Sequence, residues 1–124
     1  MFLLACRAFV ELLRMDLYLS RNNFSGMYEH VRLMPLSTVS PAPDSTETIC
    51  RAVDLAAIWY WKQVPCLQRS AATTCVLRRQ GIAAQLVIGA QCKPFRAHAW
   101  VEVDGRIVND KPYTSELYAV VDRC

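Results

Sequence analysis

Three residue types, in one order, set the chemistry open to this chain. Cys66 stands where a helix should begin, His98 sits inside an alternating run, and Asp110 closes the run after it. Thiol, imidazole and carboxylate are the parts of covalent acyl transfer by a cysteine: the sulfur attacks, the imidazole takes its proton, and the carboxylate holds the imidazole in one tautomer. The thiolate is the reactive form, and the positive end of a helix dipole favours it. Free N–H groups of the same first turn could hold a developing oxyanion. Taken singly, each residue has a plain alternative. A lone cysteine is commonly a buried, inert thiol, as Cys50 and Cys75, in the middle of their helices, should be. A histidine in a strand is commonly structural, and an aspartate at a strand end commonly makes a turn. Their joint order is what points to a site.

The elements that must carry these residues can be read around them. Pro65 redirects the chain, because proline biases the residue before it away from helix. A helix over about 66–80 follows, with Arg78 and Arg79 in its last turn and Gly81 beyond it, both suited to a helix C-terminus. Its small and apolar body (Leu67, Ala71, Ala72, Thr74, Cys75, Val76) predicts a buried helix. Residues 83–91 form an apolar run of strand length. Residues 95–103 alternate, with Ala97, Ala99, Val101 and Val103 on one face and Arg96, His98, Trp100 and Glu102 on the other. Asp104-Gly105 signals a two-residue hairpin, so Arg106–Asn109 should return as a partner strand and bring Asp110 to His98. A last strand is expected over Leu117 to Val121.

Upstream, residues 2–19 place Leu3, Phe9, Leu12, Leu13 and Leu17 at helical spacing, with Arg7, Glu11 and Arg14 between them; this predicts an amphipathic helix packed on the core. Arg21 to Pro43 is turn-rich around a short helical piece, Tyr28 to Met34, where His30 reads as a surface histidine. Asp44 or Ser45 should cap a helix over about 46–62. The expected fold class is α+β: N-terminal helices packed on an antiparallel sheet of about four strands, in one domain over residues 1–124. Residues expected along the substrate path are Arg69 and Ser70 on the turn after Cys66, Trp100 with Glu102 on the face of His98, and Trp61. Gln63 or Trp61 could also donate to the oxyanion. Arg69 as a tie between helix and loop, and the tryptophans as core, are the plain alternatives.

Composition removes several other functions. Of 124 residues 53% are hydrophobic and 20% charged, and the net charge of +3 is spread along the chain, so nothing favours nucleic acid. The N-terminal apolar stretch is interrupted by Arg7, Glu11, Arg14 and Asp16, against a membrane span; a cytoplasmic protein is expected. Six cysteines suggest a disulfide framework, yet Cys66 and Cys75 on one helix would lie roughly 13 Å apart along its axis, beyond a disulfide's reach. No CxxC pair exists, and neither His30 nor His98 has a cysteine at ligand spacing. Zinc is therefore not expected, and free thiols in a reducing compartment are.

The segments CLQRS, LRRQGIAAQLVIGA and FRAHAWVEVDGRIVND resemble the core of the lasso-peptide leader peptidases, the transglutaminase-like B proteins of lasso-peptide biosynthesis, over roughly residues 50–122. The resemblance implies a papain/transglutaminase-type cysteine protease fold without a cofactor. By motif it carries the nucleophile to Cys66, the base to His98 and the acid to Asp110. It implies a hydrolase that cuts a ribosomally made precursor between leader and core, freeing the amine that a separate ATP-using lasso cyclase joins to an acidic side chain. Some members carry a fused winged-helix domain that recognises the leader. About sixty residues precede Cys66 here and read as helices without a sheet, so the chain resembles the split form, in which a separate leader-recognition protein grips the precursor. Two rivals remain at this point. A transglutaminase or amidase would use the same three residues with an amine acceptor, and a non-catalytic subunit would only present the precursor.

Overall fold

The computed structural model describes residues 2–41 and 45–124. Its elements run α1 (Phe2–Ser20), α2 (Phe24–Leu33), α3 (Ser45–Trp59), α4 (Cys66–Arg79), β1 (Ala84–Cys92), β2 (Phe95–Val103), β3 (Arg106–Ile107), α5 (Thr114–Leu117) and β4 (Ala119–Arg123). The α+β class with a four-stranded antiparallel sheet is as expected, in the order β3-β2-β1-β4.

Helix α4 is the centre of the molecule. Nine of its residues are buried, Gln68 and Ser70 through Leu77. It touches α1 and α3 on one side and β1 and β2 on the other. Small side chains at Ala71 and Ala72 let those neighbours approach, and the hydroxyls are satisfied locally. Thr73 donates to the Arg69 carbonyl (2.8 Å) and Thr74 to that of Ser70 (2.9 Å). Around the helix pack Ala8, Leu12 and Met15 of α1, Met27 and Val31 of α2, Val53 and Ala56 of α3, and Leu86 and Ala99 of the sheet. A second cluster joins Val76 and Leu77 to Ile49, Ala84 and Val101. Gly81, at φ 84°, turns the chain out of the helix as its position promised.

Several expectations are corrected. The apolar stripe of α1 is displaced: Leu3 and Leu17 are exposed, whereas Ala8, Leu12, Met15 and Glu11 are buried. Glu11 tolerates this because its Oε1 accepts from Arg14 and Arg79, each at 2.9 Å. Asn23, within the turn-rich stretch from Arg21, is the N-cap of α2, and its Oδ1 accepts the Gly26 N–H at 2.9 Å. The third helix stops at Trp59, short of 62. The possible cap Asp44 lies outside the described residues. His30 is half-buried rather than on the surface.

The hairpin forms as its turn residues require, with Asp104 and Gly105 both at positive φ, the conformation of the tight turn. The β1–β2 register pairs Gly89 with His98 and Val87 with Trp100. The returning strand is shorter than expected. It pairs Arg106 and Ile107 with Val103 and Glu102, adds one backbone bond from the Val108 N–H to the Val101 carbonyl (3.0 Å), and thereafter a side chain replaces the ladder. Strand β4 lies on the free side of β1, with an irregularity between Ile88 and Gly89.

Candidate active site

Cys66 is the first residue of α4, preceded by Pro65 in an extended conformation with no side-chain cap. The earliest N–H groups of the helix are thus left to other partners, while the Arg69 N–H closes the first turn on the Pro65 carbonyl (3.0 Å). Gln68 is buried and its Nε2 donates to the Leu12 carbonyl at 2.9 Å, which anchors this turn to α1. The Cys66 thiol is partly exposed.

The helix and β2 run alongside one another. Ser70 donates to the Ala99 carbonyl at 3.1 Å, and further along Val76 and Leu77 pack with Val101. Moving back up the helix from Ser70 therefore moves along β2 toward His98, and Cys66 is one turn above Ser70. His98 Nε2 lies 2.5 Å from Asp110 Oδ2, and the other carboxylate oxygen accepts the Lys111 N–H at 2.8 Å. Burial pushes the Asp110 carboxyl up. The hydrogen bonds from His98 and Lys111 and the nearby Arg69 charge outweigh it and hold the group below its ordinary range. His98 and Asp110 are thus brought into contact, as their order suggested. Among the described residues neither is hydrogen-bonded to the Cys66 thiol.

Asn109 received no role from the sequence beyond its place in the V-N-D run. Its Oδ1 accepts the Val101 N–H (2.8 Å) and its Nδ2 donates to Ser70 Oγ (3.0 Å), so one amide ties β2 to α4 where β3 has ended. This bridge curls the chain and delivers the next residue, Asp110, to His98. A second unforeseen residue is Tyr118, whose ring stacks on that of His98 with centroids 5.2 Å apart. Its only signal was membership of an apolar segment.

The residues expected along the substrate path are dispersed. Ser70 is buried and held by Ala99 and Asn109, so it positions backbone and has no surface for a substrate. Trp100 is likewise fully buried; its Nε1 donates to Glu102 at 2.9 Å, and Glu102 accepts from Arg123. The strand face of His98 is covered by Tyr118 and cannot be an open channel wall at Trp100. Trp61 is exposed, stacked on Tyr60 with centroids 4.2 Å apart, and Gln63 is exposed nearby in sequence. Arg69 is half-exposed, 3.9 Å from Asp54. A surface hollow of about 890 Å³ is lined by Cys50, Asp54, Val103 and Arg106 among others and includes none of the three site residues.

Residues 11–123 match the Transglutaminase-like superfamily over nearly the whole chain. The chain belongs to that superfamily. A stretch of 56 residues is 41% identical to the microcin J25-processing protein McjB of Escherichia coli, covering 45% of this chain and 27% of that protein. The chain thus aligns with about a quarter of that relative's length. No solved structure matches. For a transglutaminase-like protein, all six cysteines are free thiols here, and burial pushes Cys50 up to about 11 and Cys75 up to about 12. Both are protonated and inert at neutral pH, unlike a nucleophile's requirement. Among the described residues no helix is long and apolar enough to cross a membrane.

Proposed function

We propose that this transglutaminase-like chain is a cysteine endopeptidase that removes the leader from a ribosomally made lasso-peptide precursor. The observation that carries the reading is the 2.5 Å couple between His98 Nε2 and Asp110 Oδ2 in a fold whose central helix begins at a cysteine. The similarity to a microcin-processing protein supports the substrate class.

With Nε2 donating to Asp110, Nδ1 is the imidazole nitrogen left to accept the Cys66 proton. The thiolate attacks the scissile carbonyl, and first-turn N–H groups of α4 stabilise the oxyanion. The imidazolium returns its proton to the departing amine, and the leader's acyl group remains on sulfur as a thioester. Water then attacks with His98 as base, releasing the leader carboxylate and restoring the thiol. Asp110, held ionised, stabilises the imidazolium in both halves of the cycle.

The partners of this reading are the precursor's leader, a separate leader-recognition protein and the lasso cyclase that uses the freed amine. Mass spectrometry of a leader-bearing precursor, incubated with the chain and the leader-recognition protein, tests it. Cleavage into leader acid and core amine is expected. An intact precursor, or a product crosslinked to an added amine, would replace hydrolysis with presentation or transfer.

A further inference from the structure

Helices α1, α2 and α4 each send one donor atom to a single point. A carboxylate oxygen of Glu11, a ring nitrogen of His30 and the Cys75 sulfur all lie within 4.8 Å of one another. Glu11 is only 2% exposed, and its Oε2 is buried without a hydrogen-bond partner; so is His30 Nε2. Unpaired buried polar atoms are costly and rare. Here two occur together and do not pair with each other, although a hydrogen bond between them would have satisfied both.

We propose that Glu11, His30 and Cys75 form a binding site for a divalent transition cation of the zinc class, which staples α1 and α2 to α4. One oxygen, one nitrogen and one sulfur suit a borderline-soft ion, whereas magnesium and calcium take oxygen sets. Bonds of about 2.0–2.3 Å in a tetrahedron set ligand atoms about 3.3–3.8 Å apart. The three donors therefore need to close by at most about 1.5 Å. The fourth position would be taken by a water that enters with the ion. Two hollows border the site: one lined by Cys6, Val10 and Glu11, the other by Tyr18, Asn23 and His30.

The remaining groups around the site are compatible with this. Arg14 and Arg79 occupy the other Glu11 oxygen from partly exposed positions, where solvent screens their charge. Burial holds His30 below its ordinary value, opposed by Glu11 and aided by Arg14 and Arg79. Binding as the thiolate complex would release the Cys75 proton to solvent. Cys66 stands at the opposite end of α4 from this cluster's turn and takes no part.

The test is a Co²⁺ titration of the full chain followed by absorption spectroscopy. One equivalent should produce a thiolate-to-metal charge-transfer band and the visible bands of a four-coordinate site, removed by Zn²⁺. The same spectrum is expected for Cys66→Ala and Cys92→Ser. Cys75→Ala should lose the charge-transfer band, and Glu11→Gln should weaken binding at least about tenfold. Absence of the band in the wild type, its survival in Cys75→Ala, or its loss in Cys66→Ala would overturn the proposal. Should Cys75→Ala fail to fold by circular dichroism, Glu11→Gln decides, because it keeps the volume; unchanged affinity there overturns the site.

Discussion

At the scale of single residues, the proposed chemistry asks different things of three side chains. Cys66→Ala removes the nucleophile and should abolish leader cleavage while leaving the circular dichroism and melting temperature unchanged, since the thiol is partly exposed and makes no described hydrogen bond. His98→Ala should lose nearly as much. Asp110→Asn should retain weak activity, lowered on the order of 10²–10⁴-fold, because an amide can still touch the ring but no longer balances the imidazolium or selects its tautomer. Single-turnover cleavage followed by mass spectrometry ranks the three. Asp110 also has a signature in stability. Its folded carboxyl ionises below the ordinary range, so the benefit is fully present above the unfolded value and is lost as pH falls through the folded one. The melting-temperature gap between wild type and Asp110→Asn should be constant at neutral pH and narrow only in that acid window. A gap that already closes near neutrality would mean the carboxylate is not held as described.

At the scale of elements, the delivery of Asp110 depends on the bridge that takes over where β3 ends. Asn109→Ala leaves the buried Val101 N–H without a partner and removes one of the two bonds of Ser70, whose donation to Ala99 remains, and should cost about 1–3 kcal/mol in chemical denaturation. It should also lower cleavage through the residue beside it, an effect a purely stabilising role would not produce at temperatures where the variant is folded. The support beneath His98 is equally specific. A Cβ at Gly89 would lie 2.6 Å from a Trp100 ring carbon and 2.9 Å from Tyr118 Cβ. Gly89→Ala should therefore displace the two rings packed around His98, destabilising by about 1–3 kcal/mol and reducing cleavage. Unchanged kinetics in Gly89→Ala would show that these rings are not what orients the imidazole. Turn chemistry was legible in advance at Asp104-Gly105 and Gly81, because those conformations are set by two or three consecutive residues. The Asn109 bridge was not, because its partners lie 8 and 39 positions away in the chain.

At the scale of the whole molecule, Arg78 was expected only to answer the dipole at the end of α4. It does more. Its guanidinium donates to the carbonyls of Val31, Met34, Ala84 and Cys124, joining α2, β1 and the C-terminal residue to the central helix. Arg78→Met, which keeps most of the volume, removes these four bonds, although Val31 and Cys124 still accept the Met34 and Leu86 N–H groups, and should cost about 2–4 kcal/mol. Cleavage per folded molecule should stay near wild type, since no site residue is touched. Thermal melts read the first effect, and activity normalised to the folded fraction reads the second.

By itself the sequence determined the α+β class, the buried character of the helix from Cys66, the hairpin at Asp104-Gly105 and the three candidate site residues. Each follows from local periodicity, from turn chemistry, or from a motif within one short run. Only the tertiary structure decided which polar groups go inside. Glu11 was placed on the wet face of its helix and His30 on the surface, yet both turn inward with Cys75, because burial depends on the neighbours that three separated helices supply. The same holds for Ser70 and Trp100, whose inward packing no spacing rule could distinguish from a place along the substrate path.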